Sequence, residues 1–181
     1  MVIKGITDED FINYKVPSMF IATAHCSFKC DKEYGLQICQ NGMLAQLPDI
    51  AISLPELFKR YTGNPITKAV VFGGLEPFDD FAELLKFVYF FRNGGWDDDI
   101  VIYTGYTKEE LENAVWDAYL VDHVGLEKYW NSSPLNCISA LQHFPNIVIK
   151  FGRYIPDQTP HYDPVLGICL ASDNQYAERI S

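Results

Sequence analysis

Three of the chain's five cysteines fall within fourteen residues. Cys26, Cys30 and Cys39 are spaced C-x3-C-x8-C in the stretch MFIATAHCSFKCDKEYGLQICQ, from Met19 to Gln40. Thiolates grouped this tightly are ligands for soft metals. A structural zinc site takes four ligands, commonly in C-x2-C pairs, and no fourth cysteine stands nearby. Three thiolates instead suit a 4Fe–4S cluster with one iron left open. His25 and the distant Cys137 and Cys169 remain candidates for a fourth ligand. The alternative is three reduced thiols packed as small hydrophobes.

A second stretch, Gly73-Gly74-Leu75-Glu76-Pro77, has the composition of a ligand-binding turn. Paired glycines let a ligand approach the backbone closely. Glu76 either binds a ligand amine or caps the helix that follows.

The bulk composition narrows the setting. At 181 residues the chain reads as one domain, 1–181, large enough to bury a substantial core. A net charge of −10 gains nothing from counterion release at phosphates, which argues against nucleic acid as a partner. No apolar run reaches about 18 residues, so no membrane span is expected. The opening MVIKGITDEDFINYK carries acids where a signal peptide needs a basic and then an apolar region, so the cytoplasm is expected. In a reducing compartment, five cysteines favour metal or catalytic roles over disulfides.

The elements that must position these residues alternate along the chain. Residues 1–16 read as a polar lead-in. Met19 to Ala24 is an apolar run without alternation, as in a strand buried on both faces. Asn41-Gly42 reads as a turn, and residues 43–52 fit neither period. Ser53-x-x-Glu56 forms a capping box with Pro55 in the first turn, and Leu54, Leu57, Phe58 and Tyr61 follow at helical spacing up to Gly63-Asn64-Pro65. Ala69 to Phe72 is a short buried strand. Pro77, Asp79 and Asp80 start a helix with apolar positions Phe81, Leu84, Leu85, Val88 and Phe91, ending at Asn93-Gly94-Gly95. The Asp97–Asp99 run reads as a solvated turn before the strand Ile100 to Tyr103.

Thr107-x-x-Glu110 is a further capping box, with Leu111, Ala114, Val115 and Ala118 as its stripe. A short helix is expected around Ile138 to Leu141, and Ile147 to Phe151 is the last clear strand. The tail holds three prolines, then a short helix expected over 174–180. Trp96, Trp116 and Trp130 read as packing residues. His123, His143 and His161 show no ligand spacing, and Cys137 and Cys169 read as buried thiols.

Strand–helix alternation implies right-handed crossovers and a mainly parallel sheet. A closed eight-unit barrel needs about 250 residues, so a partial, open βα barrel of the α/β class is expected. Ligands bind such sheets at the carboxyl ends of the strands. That selects the loop after His25, the Gly73–Pro77 turn, the Thr104-Gly105-Tyr106 turn and the Phe151-Gly152-Arg153 turn.

Together these pieces resemble the radical S-adenosylmethionine (SAM) superfamily, and most closely the small activating proteins of anaerobic ribonucleoside-triphosphate reductase. The resemblance rests on the cysteine loop, VVFGGLEPF, IVIYTGYTKEEL, IKFGRYIP and LASDNQ, which span nearly the whole chain in order. The common family spacing is C-x3-C-x2-C. Here about six residues, Asp31 to Leu36, are inserted before the third cysteine, and Leu75 interrupts the usual Gly-Gly-acid run.

The resemblance implies that Cys26, Cys30 and Cys39 hold a 4Fe–4S cluster whose fourth iron chelates SAM, with Ile38 lying over the cofactor. It implies that Gly73, Gly74 and Glu76 hold the methionine amine. Thr104 is either a polar SAM contact or a helix cap, and Phe151 and Gly152 border the adenine or pack in the core. Arg153 is either an anion contact or a solvated salt bridge. Asn174 and Gln175 contact the partner or SAM, or cap a surface helix. The implied activity is reductive cleavage of SAM to a 5′-deoxyadenosyl radical, which generates a glycyl radical on the large chain of an anaerobic ribonucleotide reductase. A low-potential donor such as flavodoxin or ferredoxin would supply the electron. The rival readings are another small radical SAM enzyme, acting on a peptide or small molecule, and a non-catalytic or degenerate metal-binding or electron-transfer module.

Overall fold

The computed structural model describes residues 1–114 and 136–181. Its strands are β1 (Val2–Asp10), β2 (Ser18–Thr23), β3 (Ile50–Ala51), β4 (Ala69–Gly73), β5 (Asp99–Tyr103), β6 (Ile147–Phe151), β7 (His161–Asp163), β8 (Ile168–Leu170) and β9 (Tyr176–Arg179). Seven of them form one open sheet in the order β3-β1-β2-β4-β5-β6-β9, and β7 and β8 form a separate hairpin. The four central strands β2, β4, β5 and β6 run parallel. The flanking strands β1, β3 and β9 pair antiparallel, so the sheet is mixed rather than parallel throughout.

The helices are α1 (Lys29–Tyr34), α2 (Leu54–Thr62), α3 (Phe81–Asn93), α4 (Lys108–Asn113) and α5 (Cys137–Leu141), with 3-10 turns at Leu44–Gln46 and Pro77–Asp80. The expected caps form. Ser53 accepts the N–H of Glu56 at 3.3 Å, and Thr107 and Glu110 make a reciprocal capping box. All five expected stripe residues of α3 are buried, with Phe87 beside them. The stripe residues Val115 and Ala118, together with Trp116, His123 and Trp130, lie outside the described residues.

The two faces of the sheet are covered differently. Met19, Ile21, Val70, Phe72, Ile100, Ile102, Ile147 and Ile149 pack under α2, α3 and α5. The alternate residues Val71, Val101 and Val148 pack against Tyr14, Leu166 and Leu170, from the loop after β1 and from the β7–β8 segment. Both faces are therefore dry, which is why the central strands read as unbroken apolar runs. Each fully buried large side chain contributes ~1.5–3 kcal/mol. Leu85, fully buried in α3, is a position where truncation to alanine costs ~2–5 kcal/mol.

Several expectations need correcting. The lead-in is strand β1, whose alternation is broken by register shifts between Ile3 and Gly5 and between Thr7 and Asp10. The expected tail helix is instead strand β9, short and polar as an edge strand tends to be. The Asp97–Asp99 run is no simple solvated turn: Asp98 accepts the Tyr61 hydroxyl at 2.7 Å, and Asp99 accepts that of Tyr14 at 2.7 Å and pairs with Arg179. Cys137 is buried as expected, but Cys169 is exposed, because β8 belongs to a two-stranded hairpin with one face open. No helix among the described residues is long and apolar enough to cross a membrane.

Candidate metal centre

The carboxyl ends of the parallel strands open into a cavity of about 780 Å³ on the face opposite the helices. The register sets its floor. Ala22 pairs with Gly73 and Tyr103 with Lys150, and all four line the cavity. Gly73 lets the Phe20 ring pack close to the backbone, since a Cβ there would lie 3.1 Å from that ring. Three of the four selected turns deliver their expected residues to the wall: Gly73, Gly74 and Glu76, then Thr104 and Gly105, then Gly152 and Arg153. Phe151 does not join them. It is fully buried on the helix side and packs against Tyr176.

All three clustered cysteines line this cavity, as does Ile38. Each is half-buried, and each is tied down by a different acid. Next to Cys26, the Ser27 N–H donates to Asp79 Oδ2, and Asp79 Oδ1 accepts the Tyr106 hydroxyl at 2.6 Å. Flanking Cys30, Lys29 and Glu33 engage Glu110 and Arg153. At Cys39, Asp31 Oδ1 accepts the backbone N–H groups of both Ile38 and Cys39, at 2.9 and 2.8 Å. The inserted residues thus extend helix α1, which Gly35 closes in the left-handed conformation at φ 75°. Asp31 then returns the chain to Cys39. A carboxylate eight residues before the last cysteine was the available signal for that staple.

Burial pushes the Cys26 thiol up to about 11, with the charges of Glu76 and Asp79 adding to the rise and the Phe28 N–H opposing it. Burial likewise raises Cys30, helped by the neighbouring Cys39. These groups become thiolates at neutral pH only if a cation replaces the proton. The Phe28 N–H already donates to Cys26 Sγ at 3.3 Å, a bond of the kind that tunes cluster sulfurs.

No three His, Cys, Asp or Glu side chains among the described residues are grouped to hold a single ion. Cys30 and Cys39 nevertheless lie beside one another, and all three thiols share the cavity wall. A structural zinc would want a fourth ligand, whereas a 4Fe–4S cluster can take three thiolates, one iron each. His25 is turned toward Asp80, 3.8 Å away, and Cys137 sits in the helix-side core, so neither serves as a fourth ligand. Cys169 alone of the distant candidates reaches the cavity wall.

Glu76 is buried to 8% exposure, and most of its acceptor capacity is used. Its Oε1 accepts from the Thr104 hydroxyl at 2.7 Å and from the Phe78 N–H at 3.1 Å, and its Oε2 accepts from the Gly105 N–H at 2.8 Å. A carboxylate has about four acceptor positions, so one remains for a ligand. Burial pushes this carboxyl up to about 7 despite those three bonds. Thr104 also accepts the Tyr106 N–H at 3.0 Å, so its hydroxyl is occupied in orienting Glu76.

Sequence reasoning missed Lys150, which is 6% exposed on the cavity floor. Its Nζ donates to Gly152 O at 2.7 Å, and burial lowers its pKa to about 8, partly offset by the charge of Glu76. The signal was a lone charge in the apolar strand IVIKF. The loop after β1 and the β7–β8 hairpin, with Ile12, Asn13 and Ile168, were also missed as walls. Gln175 does line the cavity, but as a brace rather than a helix cap. Its Nε2 donates to Gly152 O at 3.2 Å, and its Oε1 accepts the N–H groups of Ala171 and Ser172. Asn174 Nδ2 donates to Arg153 O at 2.9 Å. Arg153 is no lone anion contact: it is paired bidentately with Glu110.

No curated protein and no solved structure matches this chain. A family model does. The model of the 4Fe–4S single cluster domain matches residues 17–126, more than half of the 181 and inclusive of β2, all three clustered cysteines, the Gly73-Gly74 turn and Thr104. With the thiols, their acid holders and the matched stretch in agreement, the chain belongs to the 4Fe–4S single cluster domain family.

Proposed function

We propose that this iron–sulfur protein is a radical SAM enzyme that cleaves SAM reductively to methionine and a 5′-deoxyadenosyl radical. The radical then takes a hydrogen atom from a glycine of the large anaerobic ribonucleotide reductase chain. The observation that carries the reading is the shared cavity: the three thiols after β2 face the Gly73-Gly74 backbone and Glu76 after β4 across one space of about 780 Å³. A structural cluster needs no such space beside it.

When bound through Cys26, Cys30 and Cys39, the cluster supplies a low-potential electron and one iron free of protein ligands. The rest of the work falls to the chain's own groups. Gly73 and Gly74 let the methionine end lie against backbone. Glu76, held by Thr104, Gly105 and Phe78, offers its remaining lone pair to the amine. The ammonium of that ligand would hold the Glu76 carboxyl ionised against the effect of burial. Lys150 presents a positive charge from the floor toward an anionic group, and Ile38 covers the cysteine side. Gly152, with φ 95°, lets its turn pack against Asn174 at the edge of the cavity, where the nucleoside end would lie: a Cβ there would lie 2.9 Å from Asn174 O.

The whole sheet can be read as a partial, open βα barrel. Consecutive parallel strands in sequential order, with α2, α3 and α5 packed on one face and the cavity on the other, support that reading. The acceptor protein reaches the cavity from its open side, and flavodoxin or ferredoxin supplies the electron. Such chemistry belongs in a reducing cytoplasm, with neither nucleic acid nor membrane as partner.

The test is anaerobic reconstitution with iron and sulfide, reduction, and addition of SAM. The proposal requires 5′-deoxyadenosine in amounts that follow enzyme concentration. A well-formed cluster with no 5′-deoxyadenosine would leave a cluster-binding module without SAM chemistry.

A further inference from the structure

Helix α1 carries Cys30, yet apart from its Gly35 C-cap the usual means of holding a helix are missing from it. It is six residues long, buries no side chain, and has no side-chain N-cap at Phe28, which itself sits in the left-handed region at φ 51°. A helix this short is unstable in isolation, so tertiary contacts must fix it.

Those contacts are ionic. Lys29 and Glu33 flank Cys30, one residue before it and three after. Lys29 Nζ donates to Glu110 Oε1 and lies 3.7 Å from Glu33. Arg153 meets both Glu110 oxygens, at 2.9 and 2.7 Å, and its Nε lies 3.1 Å from Glu33 Oε2. Both cations lie over the Tyr106 ring, at 5.3 and 5.7 Å. Isolated surface pairs contribute little. This one is bidentate and four-membered, with Arg153 only 13% exposed at its centre and Lys29 and Glu33 40% and 50% exposed at its rim. Burial alone would raise the Glu110 carboxyl, but Arg153, Lys29 and the Thr107 N–H together bring it down to about 2.

We infer that Glu110 and Arg153 are positioning residues for the cluster ligand Cys30: they clasp α1 from α4 and from the end of β6, and so hold its thiol at the cavity wall. The network sums to zero formal charge, so it fixes the helix without adding net charge beside the cluster. Glu110 serves twice, since its Oε2 also accepts the Thr107 N–H in the capping box at 2.8 Å.

This inference rests on the cluster and not on SAM cleavage, and its test can be read without either. In metal-free protein, the alkylation rate of Cys30 is followed by mass spectrometry against buried Cys137 in the same chain. In reconstituted protein, iron release to a ferrous chelator is timed at low and high salt. The variants are Glu110→Gln, which can still serve in the capping box, Arg153→Gln, and the charge-swapped double Glu110→Arg with Arg153→Glu. Both single variants should raise Cys30 alkylation and iron release about tenfold, equivalent to ~1.4 kcal/mol. High salt should speed the wild type toward them, and the double should be no better than either single, because it sets a cation against Lys29 and an anion against Glu33. A simple charge effect on the cluster would instead move the two singles in opposite directions. Unchanged Cys30 alkylation in both singles overturns the inference. So does a parallel rise at Cys137, which would mean global loosening.

Discussion

Asp31 and Cys39 are joined by one oxygen. Asp31 Oδ1 takes the Cys39 N–H at 2.8 Å while also taking that of Ile38 at 2.9 Å, so a single carboxylate fixes the direction from which the third thiol enters the cavity. Each backbone bond of this kind contributes ~0.5–1.5 kcal/mol, more with a charged acceptor. Asp31→Ala releases both N–H groups and should speed iron loss from the reconstituted protein about tenfold, with Cys39 the first thiol to react with an alkylating agent. Asp31→Asn keeps the accepting oxygen and should stay within about threefold of wild type. If the two variants behaved alike, charge rather than the shared oxygen would be the cause.

Glu76 presents both oxygens to donors, which makes the conservative change an unfavourable one. In Glu76→Gln the amide NH2 must face either the Gly105 N–H, or the Thr104 hydroxyl together with the Phe78 N–H. Either way a buried donor meets a donor, at a cost of ~1–3 kcal/mol. Urea unfolding of the metal-free protein should show that loss even though no ligand is present. Should the midpoint be unchanged, the carboxyl is already protonated in the fold, and the hydrogen bonds are weaker than their lengths suggest.

The parts of this architecture that could be read from sequence were those fixed by local chemistry. Helix α3 announced itself through Phe81, Leu84, Leu85, Val88 and Phe91 because one face of it is fully buried. The central strands were legible because both of their faces are dry. Strand β1 was not, since two register shifts break its alternation and its other partner, β3, is only two residues long. Strand β9 failed for a related reason: at a sheet edge, Tyr176 and Arg179 are exposed and carry no apolar pattern.

At the site, the three cysteines and the Gly-Gly turn were visible because their types are rare and their spacing short. The residues that orient them were hidden by long range. Glu110 looked like a capping residue and Arg153 like a surface base, and only folding places one against the other across 43 positions. Thr104 was expected either against the ligand or as a helix cap. Its hydroxyl donates to Glu76, 28 positions away, because a buried carboxylate needs a donor.

Gly74 holds φ 79°, and a Cβ on it would lie 2.7 Å from Leu44 Cδ2 and 3.1 Å from Ala22 Cβ. Left-handed backbone costs an alanine ~1–2 kcal/mol before any clash. Leu44 sits in the 3-10 turn beyond Cys39, so its displacement would pass into the cysteine loop. Gly74→Ala should therefore lower both the thermal midpoint and the iron retained per chain. Gly73→Ala has no left-handed strain and meets ring atoms of Phe20 at 3.1 Å, with Tyr103 Cβ in ordinary contact at 3.5 Å. It should leave iron content near wild type while weakening SAM binding, measured by titration of the reconstituted protein. Equal iron loss in both variants would mean that the turn acts as one structural unit.

Lys150 is held against its own solvation. It lies 6% exposed with a carbonyl, Gly152 O, as its hydrogen-bond partner, and its pKa falls from 10.5 to about 8, chiefly by burial. The sign follows from proton counting. Between pH 8 and 10.5 the unfolded chain holds a proton at this site that the folded chain has released, so stability contributed here rises with pH across that window. Below pH 8 both states are protonated and the penalty is constant, on the order of 3 kcal/mol at most. Lys150→Met removes the penalty while filling similar space. The metal-free variant should be more stable than wild type at pH 7, by urea unfolding, and its advantage should shrink toward pH 10. The same variant should bind SAM more weakly once reconstituted, because the floor then offers no charge to an anionic group. An advantage that stayed constant across that pH range would mean that packing, not the buried charge, sets the difference.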